Sequence, residues 1–281
     1  MGKGGRGKPK QAAAAAKEDD DALLDAAIAE NTQAKMAEKR AQVAHSVAVA
    51  QRDQRAKALT KVEICEKLNG LPAFAIVNAS KQFVPLRVAG ADGNGADGEV
   101  AMLWTEPLEA ESALAQATRQ QPDERLAIGA IPLGRALALC EGWATAEGAA
   151  RSFRLRAHTK MSEELRPLLT QQLQQRGLPV ADVFPVFLCE ELSTDACMPV
   201  FLSRAEVVAT WEQAMQQATA AQRRPPPKNL TVMDLRVLVA RMQEEGAMDW
   251  SVLRFVGTDR AYEMVKKGQR QQEEEPPPLE E

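Results

Sequence analysis

The sequence has few of the residue types that carry out catalysis or bind metals. It holds two histidines and four cysteines among 281 residues. Neither His45 nor His158 stands at a recognisable spacing from a nucleophile or a second metal ligand, and the cysteines form no C-x-x-C pair. P-loop and dinucleotide-binding fingerprints are missing as well. We therefore expect a protein without enzymatic activity, metal or cofactor. Cys189 and Cys197 could face each other across a hairpin, either as a disulfide or as two buried thiols.

Three further absences concern partners and location. No apolar run reaches the roughly eighteen residues that span a bilayer, so we expect no transmembrane segment. The net charge is −4, and no stripe of lysine and arginine with interleaved aromatic residues is present, which argues against a nucleic-acid partner. The basic, glycine-rich first ten residues lack the apolar region of a signal peptide, and the acidic residues after them are untypical of a transit peptide. We therefore predict no targeting segment in this sequence.

The chain is organised around residues 197–215, where a strand runs directly into a helix. Residues 198–202 are contiguous apolar residues, typical of a buried strand. Ser203 is followed three residues later by Glu206, which predicts a capping box at the start of a helix. Val207, Val208 and Trp211 then fall on one helical face.

A similar unit stands about a hundred residues earlier, at residues 100–114. Here Thr105 is the predicted N-cap, and Pro107 lies in the first turn, where proline is tolerated. Neighbouring segments match in the same order. We interpret this as an internal duplication in which each copy has the order strand, strand, helix, strand, helix, strand, helix. The predicted fold is α+β: two pseudo-twofold-related lobes of mixed sheet with helices on one face, preceded by a long N-terminal helix.

Composition divides the chain into five predicted parts. Residues 1–21 are low-complexity and predicted to be disordered, and residues 22–68 have a helical composition with sparse apolar positions. That arm is either a solvated helix or a partner-binding segment. The first repeat lobe spans residues 69–177 and the second spans residues 178–268. The acidic, proline-rich residues 269–281 are predicted to be a disordered tail.

The first lobe opens with a predicted hairpin. A strand at residues 73–77 is predicted to pair with residues 83–88. The glycine-rich segment after it holds Asp92, Asn94 and Asp97, and we interpret it as a flexible hairpin tip, although a calcium loop is the alternative.

Six segments in this order resemble the Tic22-like family of chloroplast protein-import factors. The resemblance covers about residues 59–267, and its most specific piece is the strand and cap P-V-F-L-S-R-A-E at residues 199–206. The other five segments are L-P-A-F at 71–74, M-L-W-T-E at 102–106, F-R-L at 153–155, F-P-V-F at 184–187 and D-W-S-V-L-R-F at 249–255. After the last strand the family tends to have a proline-proline-glycine turn, and this chain has Val256, Gly257 and Thr258.

The resemblance implies a non-enzymatic plastid protein of the intermembrane space or associated with a membrane. It would bind precursor proteins in a chaperone-like manner between the outer and inner translocons. The alternative is a structural or assembly subunit docked in a larger plastid complex through its N-terminal arm and an exposed sheet face. If helices cover only one side of each sheet, the free apolar face would bind the client or partner. Our candidates for that face are Phe74, Ile76, Leu86, Phe187, Val200 and Leu202, and each is alternatively an ordinary core residue.

Overall fold

The computed structural model describes residues 57–88, 98–146, 152–219, 223–227, 230–246 and 248–274. The predicted disordered N-terminus, most of the helical arm and the glycine-rich tip that carries Asp92 lie outside these residues, as does the end of the acidic tail.

Helix α1 spans Lys61–Leu68 and begins at a capping box that was not predicted. Thr60 accepts a hydrogen bond from the backbone N–H of Glu63, and the Glu63 carboxylate accepts one from the backbone N–H of Thr60. Residues 57–60 are not helical, so a single helix over residues 22–68 is wrong. Ile64 and Leu68 are fully buried and hold α1 in the core.

The first sheet contains five strands. These are β1 (Pro72–Val77), β2 (Leu86–Val88), β3 (Gly98–Trp104), β4 (Ala127–Pro132) and β5 (Phe153–Arg156). Strand β3 pairs antiparallel with β1 and parallel with β5, and β4 pairs antiparallel with the other edge of β1. The predicted pairing of residues 83–88 with β1 is only partly right. Phe83 bridges to Val77, whereas β2 pairs with β3 because Pro85 separates the two segments.

The second sheet repeats this arrangement with four strands. These are β6 (Pro185–Leu188), β7 (Met198–Phe201), β8 (Thr231–Asp234) and β9 (Leu253–Val256), in the order β8-β6-β7-β9. Strand β7 pairs antiparallel with β6 and parallel with β9, and β8 pairs antiparallel with β6. The two sheets therefore share strand order and strand direction. A duplication would account for this, and it stays a prediction.

The described residues include six further helices, of which the first five connect strands and the last follows β9. They are α2 (Pro107–Gln120), α3 (Leu133–Cys140), α4 (Thr159–Gln175), α5 (Arg204–Gln217), α6 (Leu235–Met242) and α7 (Asp259–Glu274). The last of them extends to Glu274, so the predicted disordered tail is wrong for residues 269–274.

The chain has two halves, one with strands β1–β5 and one with strands β6–β9. The last helix of each half packs on the sheet of the other half. Helix α4 follows β5 of the first sheet but packs on β6 and β8, and α7 follows β9 of the second sheet but packs on β1 and α2. The predicted lobes at residues 69–177 and 178–268 are therefore intertwined in space. They remain a prediction about repeat units only.

Apolar clusters cover both faces of each sheet. A central cluster joins α1, α3 and α6 to residues of both sheets, including Ala73, Leu103 and Val200. On the opposite face of the first sheet, Phe74, Ile76 and Trp104 pack under α2 and α7. On the second sheet, Phe187, Phe201 and Trp211 form a third cluster with α4 and α5. The prediction of helices on only one face is wrong, because the exchanged helices supply the second cover.

Candidate functional site

Four helices begin around one cleft between the two halves. The cleft has a volume of about 380 Å³ and is lined by residues from the first turns of α2, α4, α5 and α7. Its walls mix apolar side chains, such as Leu108 and Met161, with the polar side chains of Glu106, His158 and Arg260. Arg260 lies 4.0 Å from the Glu106 carboxylate.

Two glutamates lie between these helix beginnings. Glu109, in the first turn of α2, accepts hydrogen bonds from the backbone N–H and the hydroxyl of Thr159 at 2.6 and 2.8 Å. Glu206, in the first turn of α5, lies close to the backbone N–H of Asp259. Thr159 and Asp259 are the first residues of α4 and α7, so the Glu109 carboxylate caps α4 and the Glu206 carboxylate faces the start of α7. Burial and the Asp259 charge raise the pKa of Glu206, and the backbone N–H of Asp259 opposes that rise.

These contacts change the predicted caps. Ser203 is the N-cap of α5 as predicted, but it accepts from the N–H of Ala205 at 3.1 Å, and Glu206 reaches α7 instead of completing a capping box. The prediction of Thr105 as the N-cap of α2 is wrong. The N-cap is Glu106, because Pro107 is the first helical residue, and the Thr105 hydroxyl donates to the carbonyl of Arg156 instead. The sequence signal that we missed is Glu109 at the third helical position of α2, which matches the position of Glu206 in α5.

We expect Glu109→Ala to lower the free energy of unfolding by about 1 kcal/mol, because it removes both bonds to the start of α4. Urea denaturation of the purified variant measures this. Glu111→Ala, on the exposed side of the same helix, is the matched control and should change stability by less than about 0.5 kcal/mol. Equal effects of the two substitutions would contradict the capping role.

A second cavity, which we call the methionine groove, lies at one end of the second sheet. It has a volume of about 570 Å³, and its apolar lining is formed by Leu188, Met198, Met233, Leu238, Met248 and Trp250. Its rim is charged and includes the Arg176–Glu244 ion pair, with 2.5 Å between nitrogen and oxygen. Met248 is 43% exposed. Unbranched methionine side chains adapt to apolar groups of different shape, so the groove suits varied apolar segments.

None of the binding residues predicted from the sequence lies in this groove. Met198 was predicted only as the first residue of a strand, and Met233 and Met248 had no predicted role. The available signal was a concentration of methionines around the second sheet, but their convergence depends on the strand pairing.

Four of the six predicted binding residues lie in the core. Phe74, Ile76, Phe187 and Val200 are 1%, 2%, 2% and 0% exposed, so the expectation that they form a free apolar face is wrong. Helices α2 and α7 cover the first two, and Phe187 and Val200 belong to two different clusters. The structure does not bring the six together.

The other two predicted residues are half-buried and line cavities. Leu202 lines the cleft between the helix beginnings. Leu86 lines a groove of about 920 Å³ between α2 and strands β2 and β3. Client binding by either residue stays a prediction.

All four cysteines are free thiols, and burial raises the pKa of Cys140 to about 12, which makes its thiol a poor nucleophile. Across the described ranges, no three histidine, cysteine or acidic side chains stand close enough together to hold a metal ion. None of the helices in this part of the chain is long and apolar enough to cross a membrane.

The sequence profile of the Tic22-like family matches residues 12–266 of this chain. The chain belongs to the Tic22-like family. This confirms the resemblance found in the sequence, and it extends the match to residues before the strands and helices described above.

Two solved Tic22 structures resemble the chain. Anabaena Tic22, a protein-transport protein, is 16% identical and covers 74% of this chain and 97% of its own length, with a TM-score of 0.49. Tic22 from Plasmodium falciparum is 17% identical and covers 74% of this chain and 98% of its own length, with a TM-score of 0.52. The second similarity shows a shared fold. None of the curated proteins matches the sequence significantly.

Proposed function

We propose that this chain is a non-enzymatic import factor of plastids that binds precursor proteins between the outer and inner translocons. Membership of the Tic22-like family, over residues 12–266, is the observation that carries the proposal. The protein acts in the intermembrane space or at a membrane surface, and its partners are precursor polypeptides and translocon components. Binding is chaperone-like and weak, at about micromolar or above, because transfer to the next component requires fast release.

The methionine groove supports this function. Its apolar floor and charged rim suit an apolar side chain of an unfolded segment whose neighbouring residues remain in water. Residues Leu86 and Leu202 line two further cavities and extend the surface available to a client. The alternative, a permanently docked subunit, requires an exposed sheet face for docking. Helices cover that face in both sheets.

Crosslinking in the native cell, followed by affinity capture and mass spectrometry, tests the proposal. We expect many plastid precursors, each in substoichiometric amount. One or two partners at unit ratio would instead indicate a fixed subunit, and a set without plastid proteins would overturn the proposal.

We expect Met248→Lys to weaken the binding of an unfolded precursor about tenfold, because it places a charge beside the apolar floor of the groove. Fluorescence anisotropy of a labelled precursor measures the affinity. Val62→Lys is the matched control, since Val62 is a 66% exposed apolar residue on α1 outside the groove. If both variants bind as tightly as the unchanged protein, the groove is not the client site.

A further inference from the structure

The two sheets differ in how their equivalent edge strands are covered. Strand β4 is the edge beside β1, and β8 is the equivalent edge beside β6. In each case the residue after the edge strand donates its backbone N–H to the chain just before the central strand. Leu133 donates to Leu71 at 2.7 Å, and Leu235 donates to Phe184 at 2.8 Å. The backbones of the two edges are therefore built alike.

The β8 edge is closed by a side-chain amide. Gln172 of α4 donates from Nε2 to the carbonyl of Val232 at 3.0 Å, and its Oε1 accepts the N–H of Asp234 at 3.1 Å. The backbone N–H and C=O groups of Val232 and Asp234 point away from β6, because these groups alternate in direction along a strand. The amide of Gln172 therefore binds where the peptide group of another strand would bind.

The same alternation identifies the outward groups of β4. Leu71 directs its carbonyl toward the β4 side, and Ile76 directs its carbonyl to Val84 on the opposite side. Of the residues in β1, the odd-numbered ones therefore bond to β4. In β4 itself, Ile128 and Ala130 direct both their N–H and C=O outward, and Pro132 directs a carbonyl outward.

These outward groups of β4 are unoccupied within the described part of the chain. Apart from the ladder to β1, no hydrogen bond there reaches Ile128, Ala130 or Pro132. The strand reads A-I-G-A-I-P, without a charged residue, and Ala127, Ala130 and Pro132 are exposed. Natural sheets usually protect such an edge with charge, a bulge or a cover, and here only the proline at its end does so.

We propose that an extended segment of a precursor polypeptide binds β4 as an added antiparallel strand. The inference rests on the proposed function, since it names the surface at which a precursor binds. Backbone pairing does not depend on side-chain identity, so one edge serves many sequences. The small side chains of Ala127, Gly129 and Ala130 leave the backbone accessible, and Ile128 and Ile131 offer one apolar contact on each face of the sheet. The Gln172 amide on β8 shows which backbone groups accept such a partner.

Amide exchange of Ile128 and Ala130, measured by NMR, tests the inference directly. The probe is a synthetic peptide of alternating valine and threonine residues with terminal lysines. In the free protein we expect fast exchange at Ile128 and Ala130 and slow exchange at Gly129 and Ile131, which bond to β1. Saturating peptide should protect Ile128 and Ala130.

A proline variant tests the same edge by affinity. Ala130→Pro removes the outward N–H without removing a bond to β1, and we expect it to weaken peptide binding about tenfold. Ala130→Val keeps the N–H and is the matched control, with an expected change below about twofold.

Three results would overturn the inference. Peptide binding without protection of Ile128 and Ala130 would place the contact elsewhere and leave the proposed function standing. Absence of peptide binding would remove the edge as a site, while precursor capture from the native cell decides the proposed function separately. Protection in the free protein that increases with protein concentration would mean that a second copy of this chain occupies β4.

Discussion

We expect Asp234→Ala to lower the free energy of unfolding by about 3–5 kcal/mol. This is the largest effect that we predict for a substitution in this chain. Asp234 is fully buried at the start of α6. Its carboxylate accepts the backbone N–H of Phe184 at 2.8 Å, the backbone N–H of Arg236 at 2.9 Å and the Arg236 Nε at 3.3 Å. Alanine leaves all of these donors without their acceptor, and the bond to the N–H of Phe184 is buried.

The position of Asp234 explains why one side chain has so large an effect. It ends the edge strand β8, caps α6 and bonds to the residue that precedes β6. Arg236 continues the network, since its guanidinium also donates to the carbonyls of Pro179 and Asp182. Removing the carboxylate therefore loosens the junction of a strand, a helix and a loop at once.

Urea denaturation of three proteins measures the effect: the unchanged chain, Asp234→Ala and Asp234→Asn. The asparagine variant keeps the size and one acceptor oxygen, so we expect a loss of about 1–3 kcal/mol. Asp123→Ala, at an exposed turn, is the control and should stay within about 0.5 kcal/mol. A loss below about 1 kcal/mol for Asp234→Ala would mean that the network rearranges without cost.

The pH dependence of the same variants has a definite sign. Burial raises the pKa of the Asp234 carboxyl, and the Arg236 charge and the backbone hydrogen bonds oppose that rise. Because the pKa is higher in the folded state than in the unfolded chain, the folded protein retains the proton more strongly. The stability of the unchanged chain relative to Asp234→Asn should therefore decrease as the pH rises above about 4, the usual pKa of an aspartate. An increase over this range would contradict the raised pKa.

Element order was predictable from the sequence because local signals are strong. Contiguous apolar residues followed by Ser203 or Pro107 mark the change from strand to helix in both halves, and both helices begin within two residues of the predicted positions. The family resemblance rests on the same local segments. Long-range packing was not predictable, since the apolar face of a helix shows that it is covered but not by which sheet. The exchange of α4 and α7 between the halves was missed for that reason.

The same limit applies to the binding surface. Phe74 and Phe187 were selected because strands with apolar residues on both faces need two covers, and the sequence showed only one. The exchanged helices supply the other cover. Gln172 was missed for the opposite reason: a glutamine on a helix resembles a solvent-facing residue until the neighbouring strand edge is known. The methionine groove and the β4 edge both depend on strand pairing, which a single sequence does not specify.

The second large loss of stability is expected for a substitution at Gly134, where α3 contacts α1. A Cβ atom at this position would overlap the carbonyl oxygen of Cys65 and lie 2.5 Å from the Asn69 Oδ1, so the two helix backbones meet here without a side chain between them. Gly134→Ala must push α1 away from the core, and α1 carries the fully buried Ile64 and Leu68. We expect a loss of about 2–3 kcal/mol, even though alanine is the better helix former.

Gly268→Ala provides a control of opposite sign. Gly268 lies inside α7, and a Cβ atom there meets nothing within 4 Å, so alanine should stabilise the protein by about 0.5 kcal/mol. Urea denaturation measures both variants, and amide exchange locates the change. For Gly134→Ala, faster exchange should be concentrated in α1, because α1 is the element that must move. If both alanine variants are more stable than the unchanged chain, helix propensity decides the outcome, and the close approach of α1 to α3 is not a constraint on the fold.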